Sequence, residues 1–156
     1  MDFFDEELFA LWKSLHENKV RYIMVGGFAV NLNGFVRSTA DADIWLEDTL
    51  DNRKKFRAVL KSIGVGDYEE IETTQLIPGW SSIMLNSGFE LDVMTFMKGF
   101  SAERFVECYE IAPAVDLNGI PLRFLHINNL IEEKRALGRP RDLIDIMELE
   151  KIRDGK

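Results

Sequence analysis

A single cysteine in 156 residues rules out an internal disulfide, and Cys108 has no CxxC companion from which to build a zinc site. Its neighbours in Arg104–Tyr109 read as a helix, so the thiol is expected to be buried or half-buried rather than nucleophilic. Only two histidines occur, His16 and His126, with no second His or Cys at ligand spacing, and both read as structural. Four prolines and eleven glycines exclude collagen-like and low-complexity chains. No apolar run approaches the roughly 18 residues of a membrane span. Met1–Asp5 carries two acids where a signal peptide needs a basic region. The expected setting is therefore the cytoplasm, with no membrane partner. Cations are scarce too: 19 Lys and Arg face 27 Asp and Glu, a formal net charge of −8. General nucleic-acid binding, which depends on neutralising phosphates with Lys and Arg, is disfavoured.

What remains is 46% apolar and 11% aromatic, the composition of one globular domain. We expect a single domain over 1–156, with a core about 20–125 and a helical tail about 126–156. A first helix runs from about Asp5 to Asn18, with Leu8, Leu11, Trp12 and Leu15 on one stripe. Val20–Val25 reads as a buried strand stopped by Gly26-Gly27. Phe28–Leu32 is a short helix closed by Asn33-Gly34. In Ala40–Glu47, Asp41 and Asp43 fall on one face and Ala42, Ile44 and Leu46 on the other. Asp48–Ser62 reads as an amphipathic helix with Leu50, Phe56, Val59, Leu60 and Ile63 inward. Asp67–Ile77 reads as a loop leading into a strand. A hairpin follows, Trp80–Leu85 and Phe89–Phe96 about Asn86-Ser87-Gly88. Ser101–Tyr109 reads as a helix with Ser101 as its N-cap. Val115–Leu125 is a second hairpin about Asn118-Gly119. Asn128–Leu137, ended by Gly138, and Asp142–Arg153, preceded by Pro140, are helices. The order implies an α+β protein with mixed strand directions. A dinucleotide-binding fold would need regular strand–helix alternation and a GxGxxG turn, and neither is present.

The stretch that carries chemistry is Tyr22–Trp45, YIMVGGFAVNLNGFVRSTADADIW. A buried strand ends at Gly26-Gly27, a helix follows, then Arg37 and Thr39, then Asp41 and Asp43 two apart on a strand. Glycine lets a backbone turn sharply and admits a phosphate close to its N–H groups. A helix N-terminus adds donors and a dipole favourable to an anion. Carboxylates two apart on a strand share a face, with α-carbons roughly 7 Å apart. Held so, they can bracket magnesium, which takes oxygen ligands completed by phosphates and water. The FELDVMTF strand supplies a third carboxylate, Asp92, with Glu90 on the same face. If that strand pairs with Ala40–Glu47, Asp92 joins Asp41 and Asp43 around two metals. Such a pair of ions clamps both oxygens of an in-line displacement at phosphorus, and Asp92 becomes the natural general base.

A glycine pair alone is commonly a turn, and a lone D-x-D is commonly a solvated strand face. Together, G-G-x9-R-x-T-x-D-x-D fixes six positions, and at ordinary residue frequencies its chance per starting point is below roughly one in a million.

Gly26-Gly27 after a strand, Arg37 to Asp43 and the later Asp92 resemble the signature of the nucleotidyltransferase superfamily typified by DNA polymerase beta. The R-x-T-x-D-x-D form is similar to that of small bacterial members: minimal nucleotidyltransferases, abortive-infection toxin-like proteins and antibiotic nucleotidyltransferases. Lys134–Leu149, KRALGRPRDLIDIMEL, resembles the K-x-x-x-x-R-x-K-D-x-x-D-x-x-x-L tail found there. The likeness spans about Val20 to Leu149. It implies the nucleotidyltransferase fold, a mixed, mainly antiparallel sheet flanked by helices with C-terminal helices. It also implies ATP or another NTP as donor, with magnesium (two ions) or manganese. A nucleoside monophosphate would pass to a hydroxyl or phosphate acceptor. By the same resemblance Gly26 and Gly27 bind the triphosphate, Asp41 and Asp43 bind metal, and Asp92 is a ligand and the base. Gly27 departs from the pattern of the many relatives that carry a serine there.

Other residues have two readings. Lys134 either reaches the triphosphate or pairs with Asp142 and Asp145; Arg139 and Arg141 either lie near the phosphates or serve helix ends. Arg37 either contacts phosphate or pairs with an aspartate to fix its loop. Thr39 is a nucleotide-binding candidate, Asn31 a weaker one, and Trp80 either stacks on a base or belongs to the rim. The acceptor is left open among a small molecule, a protein and an RNA end, as is a homodimer or partner protein. An antibiotic-modifying role usually needs an acceptor pocket, often from an extra domain or a dimer partner, and little sequence remains for one. Two rival readings persist: a non-catalytic regulatory module of a toxin–antitoxin-type pair, and a phosphohydrolase using the same carboxylates.

Overall fold

The computed structural model describes residues 6–39, 41–79 and 81–155. Met1–Asp5, Ala40 and Trp80, with the readings that fall on them, lie outside the described residues. Leu8, Leu11, Trp12 and Leu15 recur at helical spacing, and all four are buried along one side of α1 (Glu6–Glu17). The continuous apolar run YIMV forms β1 (Tyr22–Val25), buried on both faces. It passes directly into α2 (Gly26–Leu32), whose first residues are the two glycines rather than Phe28. Next come β2 (Asp41–Leu46) and α3 (Leu50–Ser62). Thr49 caps α3 by accepting from Asn52 N, and Leu50, expected inward, is 55% exposed because it lies in the first turn beyond the apolar stripe. The loop expected over Asp67–Ile77 contains a one-turn helix, α4 (Glu70–Thr73), whose Ile71 is buried against the core. A single apolar anchor leaves no periodicity to read.

The first hairpin is β3 (Ser82–Met84) with β4 (Glu90–Met94). After it Ala102–Arg104 form a 3-10 turn that leads into α5 (Phe105–Ile111), and the Ser101 side chain makes no cap bond. The second hairpin is β5 (Ala114–Leu117) with β6 (Ile120–Arg123); both turn residues, Asn118 and Gly119, have positive φ. That is the backbone Asn-Gly favours between twisted strands. The tail forms α6 (Ile127–Leu137) and α7 (Pro140–Asp154). His126 caps α6, its Nδ1 accepting from Asn128 N at 3.1 Å.

The main sheet has the order β1-β2-β4-β3: β1 and β2 antiparallel, β2 and β4 parallel, β4 and β3 antiparallel. This is the α+β, mixed and mainly antiparallel architecture expected, flanked by helices. β5 and β6 form a separate ribbon, joined to β1 through a bridge between Met24 and Phe124. Ala42, Ile44 and Leu46 are fully buried on one face of β2. On the other face the Trp45 ring meets Phe100 and Phe105 edge-on, and its indole N–H donates to the Thr95 carbonyl at 3.0 Å. Asn52 pins the neighbouring loops, accepting from Arg21 N and donating to the carbonyls of Arg21 and Glu47. One contiguous apolar cluster runs from Leu8 to Leu149 and includes Cys108, which is fully buried. Burial pushes the Cys108 thiol up to about 11, so it stays protonated and unreactive.

Candidate active site

Strand register builds the acidic side of the site. Asp41 and Asp43 project from the same face of β2, and the parallel pairing sets Asp43 opposite Asp92 of β4. Leu91 and Val93, on the other face of β4, are buried in the core and hold that register. Ser82 on β3, opposite Asp92 in the antiparallel pairing, donates its hydroxyl to Asp92 Oδ1 at 2.5 Å. Asp43 and Asp92 therefore face each other as like charges across the β2–β4 pairing. Burial first, then Asp92, Asp41 and Glu133, push the Asp43 carboxyl up to about 7. A group of acids that raises its own proton affinity is one a divalent cation would relieve.

The glycines are set by close approach. Val25 ends β1 opposite Asp43, and Gly26 follows with φ +63. A Cβ on Gly26 would lie 2.2 Å from Asp43 Oδ2, so any side chain there would displace the carboxylate. A Cβ on Gly27 would lie 2.3 Å from Thr39 Oγ1. The absence of a serine at position 27 thus has a local cause: the Thr39 side chain occupies the space. Thr39 in turn donates to the Asp41 carbonyl at 3.2 Å, tying the loop to the start of β2.

Facing the acids is a cationic wall from the C-terminal helices. Lys134 on α6 is buried, with Nζ 3.5 Å from Asp142 and 3.0 Å from Asp145, both buried on α7. Arg37 reaches across from its loop to grip both Asp145 oxygens at 2.9 Å. Arg139 holds Asp142 at 2.7 Å and 3.1 Å, and these bonds keep the Asp142 carboxyl below its usual range despite burial. Three cations share two aspartates, and with Arg141 as a fourth cation the wall keeps positive charge even beside Glu133 of α6. Among the described residues Arg141, exposed at its edge, pairs with no carboxylate.

Eight of the residues singled out for nucleotide and metal converge on one cavity of about 510 Å3: Gly26, Gly27, Arg37, Thr39, Asp41, Asp43, Asp92 and Lys134. Pro78, Gly79, Arg139 and Arg141 line it as well. Lys134 and Arg37 line the cavity, and each makes the aspartate pairing that one of its two readings expected. Asn31 lies outside it, where its side chain accepts from Arg37 N at 2.9 Å and shapes the loop. Glu90 sits opposite Asp41 on β4 but does not line the cavity. Sequence reasoning missed Glu133, a cavity carboxylate on α6 raised by burial against the pull of Lys134 and Arg139. Its place between Glu132 and Lys134, in a run of two acids and two bases, gave no signal.

The donor set suits a hard cation. It is all carboxylate oxygen, with no His or Cys among the cavity residues. Among the described residues no three such groups close into a formed metal cage. Asp43 and Asp92 face each other with Asp41 beside them on β2, and three carboxylates would leave a bound magnesium ion room for phosphate and water, as that ion prefers.

No family model and no curated protein matches the sequence. Solved structures do match the fold. A candidate nucleotidyltransferase from Thermotoga maritima is 13% identical with a TM-score of 0.57, covering 96% of this chain and 91% of that one. The lincosamide antibiotic adenylyltransferase LnuA, solved with lincomycin bound, is 17% identical with a TM-score of 0.59, covering 95% and 97%. ANT(2")-Ia, solved with adenylyl-2"-tobramycin, is 15% identical with a TM-score of 0.55, covering 95% and 93%. At these identities the likeness is one of architecture: the chain has the nucleotidyltransferase fold.

Proposed function

We propose that the protein is a metal-dependent nucleotidyltransferase that moves a nucleoside monophosphate from ATP or another NTP to a hydroxyl acceptor. The observation that carries this reading is the two-sided cavity, with Asp41, Asp43 and Asp92 on the sheet side and the Arg37–Lys134–Arg139–Arg141 wall opposite. A metal–polyphosphate is bipolar in the same sense, cation at one end and oxyanions at the other. Asp41, Asp43 and Asp92 would hold magnesium or manganese, which supplies charge neutralisation at the reacting phosphate. Asp92 takes the proton of the acceptor hydroxyl as its oxygen attacks the α-phosphorus, and the bond to the β-phosphate oxygen breaks to release pyrophosphate. Ser82 holds one Asp92 oxygen, so the carboxylate is oriented before the acceptor arrives. Lys134 and the arginines meet the charge that develops on the leaving pyrophosphate. Gly26 and Gly27 let the triphosphate approach the backbone.

Chain length does not count against a small-molecule acceptor, because LnuA is matched over 97% of its own length by this chain. The test is incubation with ATP labelled at the α or the γ phosphorus, together with a cell extract. Transfer of α label, and not γ label, to a product supports the proposal. Free labelled phosphate alone would favour hydrolysis, and no turnover with retained ATP binding would favour a regulatory module.

A further inference from the structure

A second cavity, of about 480 Å3, opens at the other end of β1, where Tyr22 starts the strand. Its charged lining is Lys19, Arg21, Lys55 and Arg123, and no carboxylate lines it. In a chain of net charge −8 this inverts the prevailing sign. Two of the four are balanced from outside the lining: Lys55 by Asp51 at 2.9 Å and Arg21 by Glu47 at 3.3 Å. Among the described residues neither Lys19 nor Arg123 pairs with a carboxylate. Both guanidinium groups, of Arg21 and Arg123, lie 4.5 Å from the centre of the Tyr109 ring. Tyr109 stacks in turn on buried Phe105, so the platform is fixed to the core. Stacking orients a planar guanidinium without consuming its N–H donors.

Tyr22, which lines this cavity, has a buried phenol oxygen with no hydrogen-bond partner. Tyr22 is only 6% exposed. Burial, and secondly Tyr109, hold its phenol above the ordinary value, so it is an O–H donor with nothing to donate to. Native proteins rarely leave such a group orphaned, and an acceptor atom on a ligand would satisfy it. The volume is that of a small-molecule site, and the two unopposed cations, Lys19 and Arg123, exceed what a single carboxylate would balance.

We infer that this cavity binds a small phosphorylated molecule carrying two or more phosphate charges. Arg21 and Arg123 fork its phosphate oxygens, Lys19 and Lys55 add charge, and Tyr22 donates its hydroxyl to it. The site shares no residue with the carboxylate cavity and needs no metal, so it stands or falls independently of the proposed reaction.

The test is calorimetric titration of inorganic tripolyphosphate into the full chain in EDTA, which strips metal from the carboxylates. One saturable site is expected. Lys19→Gln with Arg123→Gln should weaken it at least ~10-fold, and Tyr22→Phe about 3-fold, for lost charge-assisted and neutral hydrogen bonds. Asp43→Asn with Asp92→Asn should not weaken it. Lys19 is exposed and Tyr22→Phe is nearly isosteric, so circular dichroism should show both variants folded. Absence of binding, or binding unchanged by the Lys19, Arg123 and Tyr22 substitutions, would overturn the inference.

Discussion

The two cavities at the ends of β1 are similar in size and opposite in construction. Val25 lines the one that holds the carboxylates and Tyr22 the one that holds the unopposed cations, and only Ile23 and Met24 lie between. The acidic cavity draws its carboxylates from regular structure: alternation along β2 and register with β4 place Asp41, Asp43 and Asp92 together. The basic cavity draws each cation from a different place, with Lys19 and Arg21 before β1, Lys55 on α3 and Arg123 on β6. Strain is also distributed differently. Like charges confront one another at the first, where they raise the proton affinity of Asp43; at the second, a buried phenol donor is left unused.

The contrast breaks most visibly at the acids. Asp92→Asn should lower transfer of α-labelled nucleotide by about 10^3-fold, within the range for losing a general base. Lys54→Gln, on the exposed face of α3, should leave turnover at the wild-type level. A comparable loss in both would mean that the acids act only through stability.

A large effect on folding is expected at the cationic wall. Lys134→Met leaves buried Asp142 and Asp145 with one cation fewer, and should cost about 3–5 kcal/mol in urea unfolding. Lys19→Gln, at the exposed rim of the basic cavity, should change stability by no more than about 0.5 kcal/mol.

A pH titration sharpens the difference further. In EDTA the folded chain holds the Asp43 proton up to about 7, whereas an unfolded chain releases it near 3.8. The folded state therefore binds more protons across that interval, and stability should fall as pH rises from about 4 to about 7. The expected loss is on the order of 2 kcal/mol after allowing for partial solvent screening, and Asp43→Asn should flatten the profile. The smallest effect concerns the glycine hinge: Gly27→Ala should destabilise by about 1–2 kcal/mol through its clash with Thr39. Thr39→Gly should recover most of that in the double variant.

Much of the acidic cavity was legible in sequence because its positions are periodic. A buried strand stopped by two glycines, alternate aspartates and an FELDVMTF strand each state their face and direction, and only the pairing of the two strands had to be assumed. The Asn118-Gly119 turn and the Leu8–Leu15 stripe were legible for the same reason. Elements with one anchor were not: α4 rests on Ile71, and the start of α5 looked like a serine cap but is a 3-10 turn. Long-range pairings were also hidden. Nothing local says that Arg37 reaches Asp145, or that Thr39 fills the space beside Gly27. Glu133 and the basic cavity depend on tertiary packing of residues scattered through the chain.

The most direct measurement is the melting temperature of the full chain with ATP, in magnesium and in EDTA, for wild type and for Asp41→Asn with Asp43→Asn. Ligand that binds only the folded state raises that temperature. The wild type should melt several degrees higher with ATP and magnesium than with ATP and EDTA, and the double variant should melt at the same temperature in both. A wild type indifferent to magnesium, or a variant that gains as much from it, would contradict a carboxylate-held metal nucleotide in this cavity.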